Sequence, residues 1–188
     1  MAETVSEYSH SFIQDLISSG WEARAGGKLL EAREQLTEAL EMARQHGGMA
    51  HEVAALQKLG HIEQDLGNEE GAHEIFEHLV TLTGAKGSRR YHAHALRHLG
   101  DSFVRRNELD AAEKLYTEAM YEYELLEGRD ELSLANALRS MAILREKQGR
   151  RGDAAACWNK ACHLYESEGI ESGVDECISH LEKLSASR

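Results

Sequence analysis

A six-residue phrase recurs along this chain at nearly even intervals, and that recurrence constrains its architecture more than any other feature. Ala55-Leu56-Gln57-Lys58-Leu59-Gly60 returns as Ala95-Leu96-Arg97-His98-Leu99-Gly100 and as Ala137-Leu138-Arg139-Ser140-Met141-Ala142, with a fainter copy at Asp15-Leu16-Ile17-Ser18-Ser19-Gly20. The last residues of the four copies stand at 20, 60, 100 and 142, giving spacings of 40, 40 and 42. Regular self-similarity on this scale marks stacked supersecondary units, each burying an apolar face against its neighbour.

Two further landmarks keep step with the phrase. Seven residues after each marker comes a turn former, Gly27, Gly67, Asn107 or Gly149, able to adopt the left-handed conformation that closes a helix. Five residues later stands an alanine in every copy: Ala32, Ala72, Ala112 and Ala154. Four residues on is a large side chain (Leu36, Phe76, Tyr116, Trp158), and three more bring Ala39, Leu79, Ala119 and Ala161. Steps of four and three fall on one helical stripe, where small residues admit a neighbouring helix and the bulky one fills the gap. Tyr116, Tyr123, Trp158 and Tyr165 read as core residues by the same spacing.

Each unit therefore reads as two antiparallel helices. The spacing predicts helices at about 8–26, 28–46, 49–67, 69–83, 89–107, 109–127, 131–149 and 151–168, with loops around Gly47-Gly48, Gly84 to Ser88, Gly128-Arg129-Asp130 and Gly169 to Gly173. A ninth helix at about 172–185 sets Ile178 and Leu181 where the first helices carry leucine, and serves as a terminal cap. The absence of proline from all 188 residues agrees with uninterrupted helix.

Charge narrows the partner. Twenty-one Lys and Arg against 33 Asp and Glu leave −12, which repels nucleic-acid phosphates and anionic membrane surfaces. No apolar run approaches the ~20 residues of a membrane span. The N-terminal stretch Met1-Ala2-Glu3-Thr4-Val5-Ser6-Glu7 carries acids where a targeting signal carries bases, so a cytoplasmic location is expected. Cys157, Cys162 and Cys177 have no zinc-site or CxxC spacing and read as reduced structural thiols.

These residues resemble the tetratricopeptide repeat (TPR), whose pattern runs approximately W/L-x2-L-G-x2-Y…G-x4-A-x3-F-x2-A. The third copy is clearest: Leu96, Leu99, Gly100, Phe103, Ala112, Tyr116 and Ala119. The period is longer than the usual 34 residues, and Arg44, Gly84, Glu124 and Glu166 stand where proline commonly ends the second helix. Repeats of this length look more like those of kinesin light chains, Pins-type adaptors and bacterial Rap-type peptide sensors. The resemblance implies an all-α, right-handed α-solenoid of four TPR-like hairpins plus a C-terminal capping helix. A single domain over 1–188 is expected, with repeats at about 8–47, 48–87, 88–129 and 130–169 and the cap at about 172–185.

The resemblance also implies that first helices line a concave groove through the positions six and three before the marker and one, four and five after it. These are Gln14, Ile17, Trp21, Arg24 and Ala25; Ala54, Gln57, His61, Gln64 and Asp65; His94, Arg97, Asp101, Val104 and Arg105; and Asn136, Arg139, Ile143, Glu146 and Lys147. Five of the twenty are basic and three acidic, against the chain's overall −12. Arg97, Arg139 and Arg24 are candidates for gripping partner carboxylates, and Gln57 and Asn136 for pairing with a peptide backbone. Trp21 is a candidate aromatic anchor, with His61, His94 and Asp101 beside these residues. The competing reading pairs Arg97 and Arg139 with Asp101, Glu146 or neighbouring acids. His92, His94 and His98 lack an obvious third metal ligand, and no phosphate loop, HExxH or GxSxG pattern occurs. The expected activity is non-catalytic, cofactor-free binding of a protein or peptide segment, acidic segments included; the alternative is a self-associating homodimeric scaffold with no groove ligand.

Overall fold

The computed structural model describes residues 2–128 and 130–186; Arg129, placed above in an inter-repeat loop, lies outside them. Every regular element among the described residues is helical, and the chain divides into two compact units, 1–85 and 86–188. The first holds α1 (Ala2–Ala25), α2 (Leu29–Met42), α3 (Gly48–Asp65) and α4 (Glu69–Ala85). The second holds α5 (Arg89–Arg105), α6 (Leu109–Glu124), α7 (Glu131–Lys147), α8 (Arg151–Ser167) and α9 (Glu171–Ala186). Within each unit the helices pack in series as hairpins, and the first helices also meet, α1 with α3 and α5 with α7.

The turns inside the hairpins are made as the sequence spacing anticipates. Gly27, Gly67, Asn107 and Gly149 all have φ between 62° and 78°. At Asn107 the next amide, Glu108 N, donates to Phe103 O at 2.9 Å while Asn107 N donates to Val104 O at 3.1 Å, the paired bonds of a Schellman closure. The same two bonds recur around Gly27, Gly67, Gly149 and Gly169, so one local solution is reused along the chain.

The stripe of small and large residues forms the core. Leu36, Phe76, Tyr116 and Trp158, each sixteen residues past its marker, are at most 1% exposed, and the alanines that flank them are buried. A Cβ at Gly60 would come within 2.5 Å of the Phe76 ring, and one at Gly100 within 2.5 Å of the Tyr116 ring. Those two markers are glycine because the aromatic lies against the backbone of the first helix. The cap follows its own version of the rule: Gly173 of α9 lies under Tyr165 of α8, and Cys177 completes the cluster with Trp158 and Ala161.

The structure departs from expectation in several places: α1 begins at Ala2 rather than about residue 8, and the junction after the second helix is built differently. The second helix stops at Met42 and continues as a single π-helical turn, Ala43–Gly47, before Gly48 opens α3 with φ +66°. No separate loop intervenes there. Ile17, assigned above to the groove-facing set, is instead 2% exposed; its branched apolar side chain gains by leaving water, and the position belongs to the core of the first unit.

Candidate functional site

The nine candidate residues all lie on first helices and are all half-buried: Trp21, Arg24, Gln57 and His61 in the first unit, His94, Arg97, Asp101, Asn136 and Arg139 in the second. None is sealed in the core and none stands fully in solvent. What the structure adds is their bonding.

In the first unit Trp21 is the centre. The Arg24 guanidinium carbon stands 4.3 Å from the indole centroid and the Lys58 ammonium 4.0 Å from it, both at cation–π distance. Arg24 grips Asp65 with Nε to Oδ2 at 2.5 Å and Nη2 to Oδ1 at 3.3 Å. His61 lies 6.1 Å from Trp21 between ring centres and meets the Phe76 ring edge-on at 5.8 Å, so it joins the surface cluster to the core. Partial burial, reinforced by the Arg24 charge, holds the Lys58 ammonium below its ordinary pKa.

In the second unit Asp101 is the centre. Its Oδ1 accepts from the Tyr116 hydroxyl at 2.6 Å and from Ser140 Oγ at 2.9 Å, while Oδ2 accepts from Arg97 Nη1 at 3.1 Å. One carboxylate thereby ties α5 to α6 and α7. Asn136 Oδ1 accepts from the Tyr165 hydroxyl at 2.8 Å. Arg139 makes a two-toothed pair with Glu176 of the cap, both bonds at 2.7 Å, the geometry in which guanidinium binds carboxylate best. His94 faces Ser133 Oγ at 3.3 Å and meets Tyr123 edge-on; burial first, and then the Arg97 charge, push its pKa down to about 4. His92 and His98 share this helix, and no group of three or more His, Cys, Asp or Glu side chains suited to a metal occurs among the described residues.

The three candidate arginines are thus already bound to acids of the chain: Arg24 to Asp65, Arg97 to Asp101 and Arg139 to Glu176. Glu146, the other acid considered for Arg139, instead accepts from Trp158 Nε1 at 2.5 Å and faces His180 Nδ1 at 2.8 Å. Asn136 likewise spends its carbonyl on Tyr165. Gln57 keeps its amide without a side-chain partner among the described residues.

No family model matches the chain, and no curated protein matches it. Solved structures do. BtubC (BKLC) from P. vanneervenii superposes with a TM-score of 0.66 at 14% identity, over 98% of this chain and 91% of its own. A structure from Podosopora anserina, described by its kinesin light chain nearly identical TPR-like repeats, gives a TM-score of 0.57 at 14% identity, over 93% and 95%. The chain has the TPR-like repeat fold.

In a TPR-like frame the residues that the sequence reading missed become intelligible. Arg24–Asp65, Arg139–Glu176 and Ser140–Asp101 are separated by 41, 37 and 39 residues, one repeat each, because each pair joins neighbouring first helices. For Arg24 and Arg139, an acid about one period away is the signal that identifies the partner. Lys58 escaped attention for a different reason: it stands two before the marker, outside the five positions ascribed to the groove. No helix among the described residues is long and apolar enough to cross a membrane.

Proposed function

We propose that this chain is a non-catalytic, cytoplasmic TPR-like module that holds an extended segment of a protein or peptide partner along the first-helix face within a unit, without cofactor and without binding nucleic acid or membrane. The observation that carries this reading is the uniform half-burial of the nine candidate residues on successive first helices. Groups held partly out of water by neighbouring helices can lose their remaining hydration to a ligand at less cost than freely solvated ones. Gln57 is free to pair with a peptide backbone, and Trp21 and His61 offer aromatic surface in the same unit. The ion pairs of Arg24, Arg97 and Arg139 give these helices a fixed shape, so their first duty in this reading is to pre-organise the face.

The test is selection of binders from a library of random 12-residue peptides displayed without a free C-terminus, followed by obstruction. Tryptophan at Ala54 or Gln57 should weaken the selected peptides by about tenfold or more, whereas tryptophan at the exposed second-helix positions Glu74 or Glu118 should leave them unaffected. Failure to select any binder, together with a concentration-dependent dimer in sedimentation, would instead favour the homodimeric scaffold.

A further inference from the structure

Among the described first helices, one half-buried cation lacks a carboxylate. Lys58 lies over Trp21, while Asp65, the acid of this cluster, is engaged by Arg24. Two cations therefore converge on one indole against a single carboxylate, leaving one positive charge uncompensated. The indole face favours the ammonium there but supplies no counter-charge, and Lys58 has lost part of its hydration in reaching it.

We infer that Lys58 and Trp21 form a subsite for one carboxylate side chain, Asp or Glu, of the partner segment; the inference rests on the peptide-binding reading above. Three features select that chemistry. The uncompensated charge is a single one, which matches a monoanion and undershoots a phosphate. The guanidinium fork that recognises phosphate bidentately is closed, because Arg24 already spends it on Asp65. A terminal carboxylate is commonly captured by converging backbone amides, and Lys58 sits inside α3 (Gly48–Asp65), where the amides are consumed by the helix. What remains is a compact ammonium with three donors, fixed on an aromatic plate.

The experiment uses the full chain and the peptides selected as above, resynthesised with amidated C-termini. The subsite predicts an Asp or Glu at one fixed place in the binders, about tenfold weaker binding to Lys58→Met, and a larger loss with Lys58→Glu. Exchanging that peptide acid for Lys should recover binding to Lys58→Glu and to no other variant. Circular dichroism keeps the result interpretable, since Lys58 is on the surface and both variants should retain helicity. Binders without a fixed acid, binding unchanged in Lys58→Met, or affinity lost on amidation would each overturn the subsite. If such peptides are still blocked by tryptophan at Gln57, the peptide-binding reading survives and only the carboxylate subsite falls; if no peptide binds at all, both fall.

Discussion

Replacing glycine by alanine inside a helix ordinarily stabilises a protein by about 0.5–1 kcal/mol, since glycine has more backbone freedom to lose. At Gly100 the sign should reverse. The new Cβ would stand 2.5 Å from Tyr116 Cε1 and 2.7 Å from Cδ1, well inside contact distance, and the ring cannot step aside easily. Tyr116 is 1% exposed, and its hydroxyl is fastened to Asp101 at 2.6 Å. Overpacking of this kind costs about 1–3 kcal/mol, so after the propensity gain Gly100→Ala should lose about 1–2 kcal/mol. That corresponds to a fall of about 2–8 °C in Tm for a chain of this size. Gly152 in α8 is the control, because a Cβ there meets nothing within 4 Å, and Gly152→Ala should be neutral or stabilising. Urea unfolding followed by circular dichroism reads both. A Gly100→Ala variant as stable as the parent would refute the claim that the markers are glycine because an aromatic ring occupies the space of their side chain.

Acidification should destabilise the second unit through His94. Its folded pKa, about 4, lies below the unfolded value near 6.5, so its contribution is fully present above about pH 6.5 and drains away as the pH falls toward 4. His94→Gln should flatten the decline in urea midpoint between about pH 7 and about pH 4.5; an unchanged slope would exclude His94 as its source. Glu113 acts at lower pH: hydrogen bonds first from Arg145 and then from Gln148 hold its pKa at about 2. Its contribution is present above about pH 4.3 and is lost as pH falls through 2, and because the carboxylate is only half-buried and screened by water, Glu113→Gln at neutral pH should cost no more than about 1 kcal/mol. Burial pushes the Cys177 thiol up to about 12, and it is 0% exposed, so iodoacetamide near neutral pH should label Cys157 and Cys162 long before Cys177, as mass spectrometry of the native protein would show.

The fold was legible because its instructions are local and repeated. A turn residue, an alanine and a bulky side chain at constant offsets describe one hairpin, and four copies in step describe the stack; the solved TPR-like structures carry the same arrangement at only 14% identity. Of the candidate face, the sequence spacing correctly placed all nine chosen residues on first helices, where they are half-buried. Of their bonding, only the Arg97–Asp101 pair, one helical turn apart, was anticipated by the competing reading; the other two ion pairs join residues about a full repeat apart on successive first helices. Arg139 found its acid on α9, a helix read only as a cap, and Arg24 found Asp65. The departure at Ile17 has a different origin: offsets that describe an interior repeat do not allow for an apolar side chain in the first one. The π-helical turn at Ala43–Gly47 has no counterpart among the described residues of the other repeats, so no period could have announced it.

The face that touches the partner decides the function of this chain. A photo-crosslinking amino acid placed at Gln57 on α3 or at Glu74 on α4, both in the first unit, asks this directly once a binding peptide is in hand. The first-helix reading predicts a peptide adduct at Gln57 and none at Glu74. An adduct at Glu74 alone, or one joining two copies of the chain in place of a peptide, would contradict it.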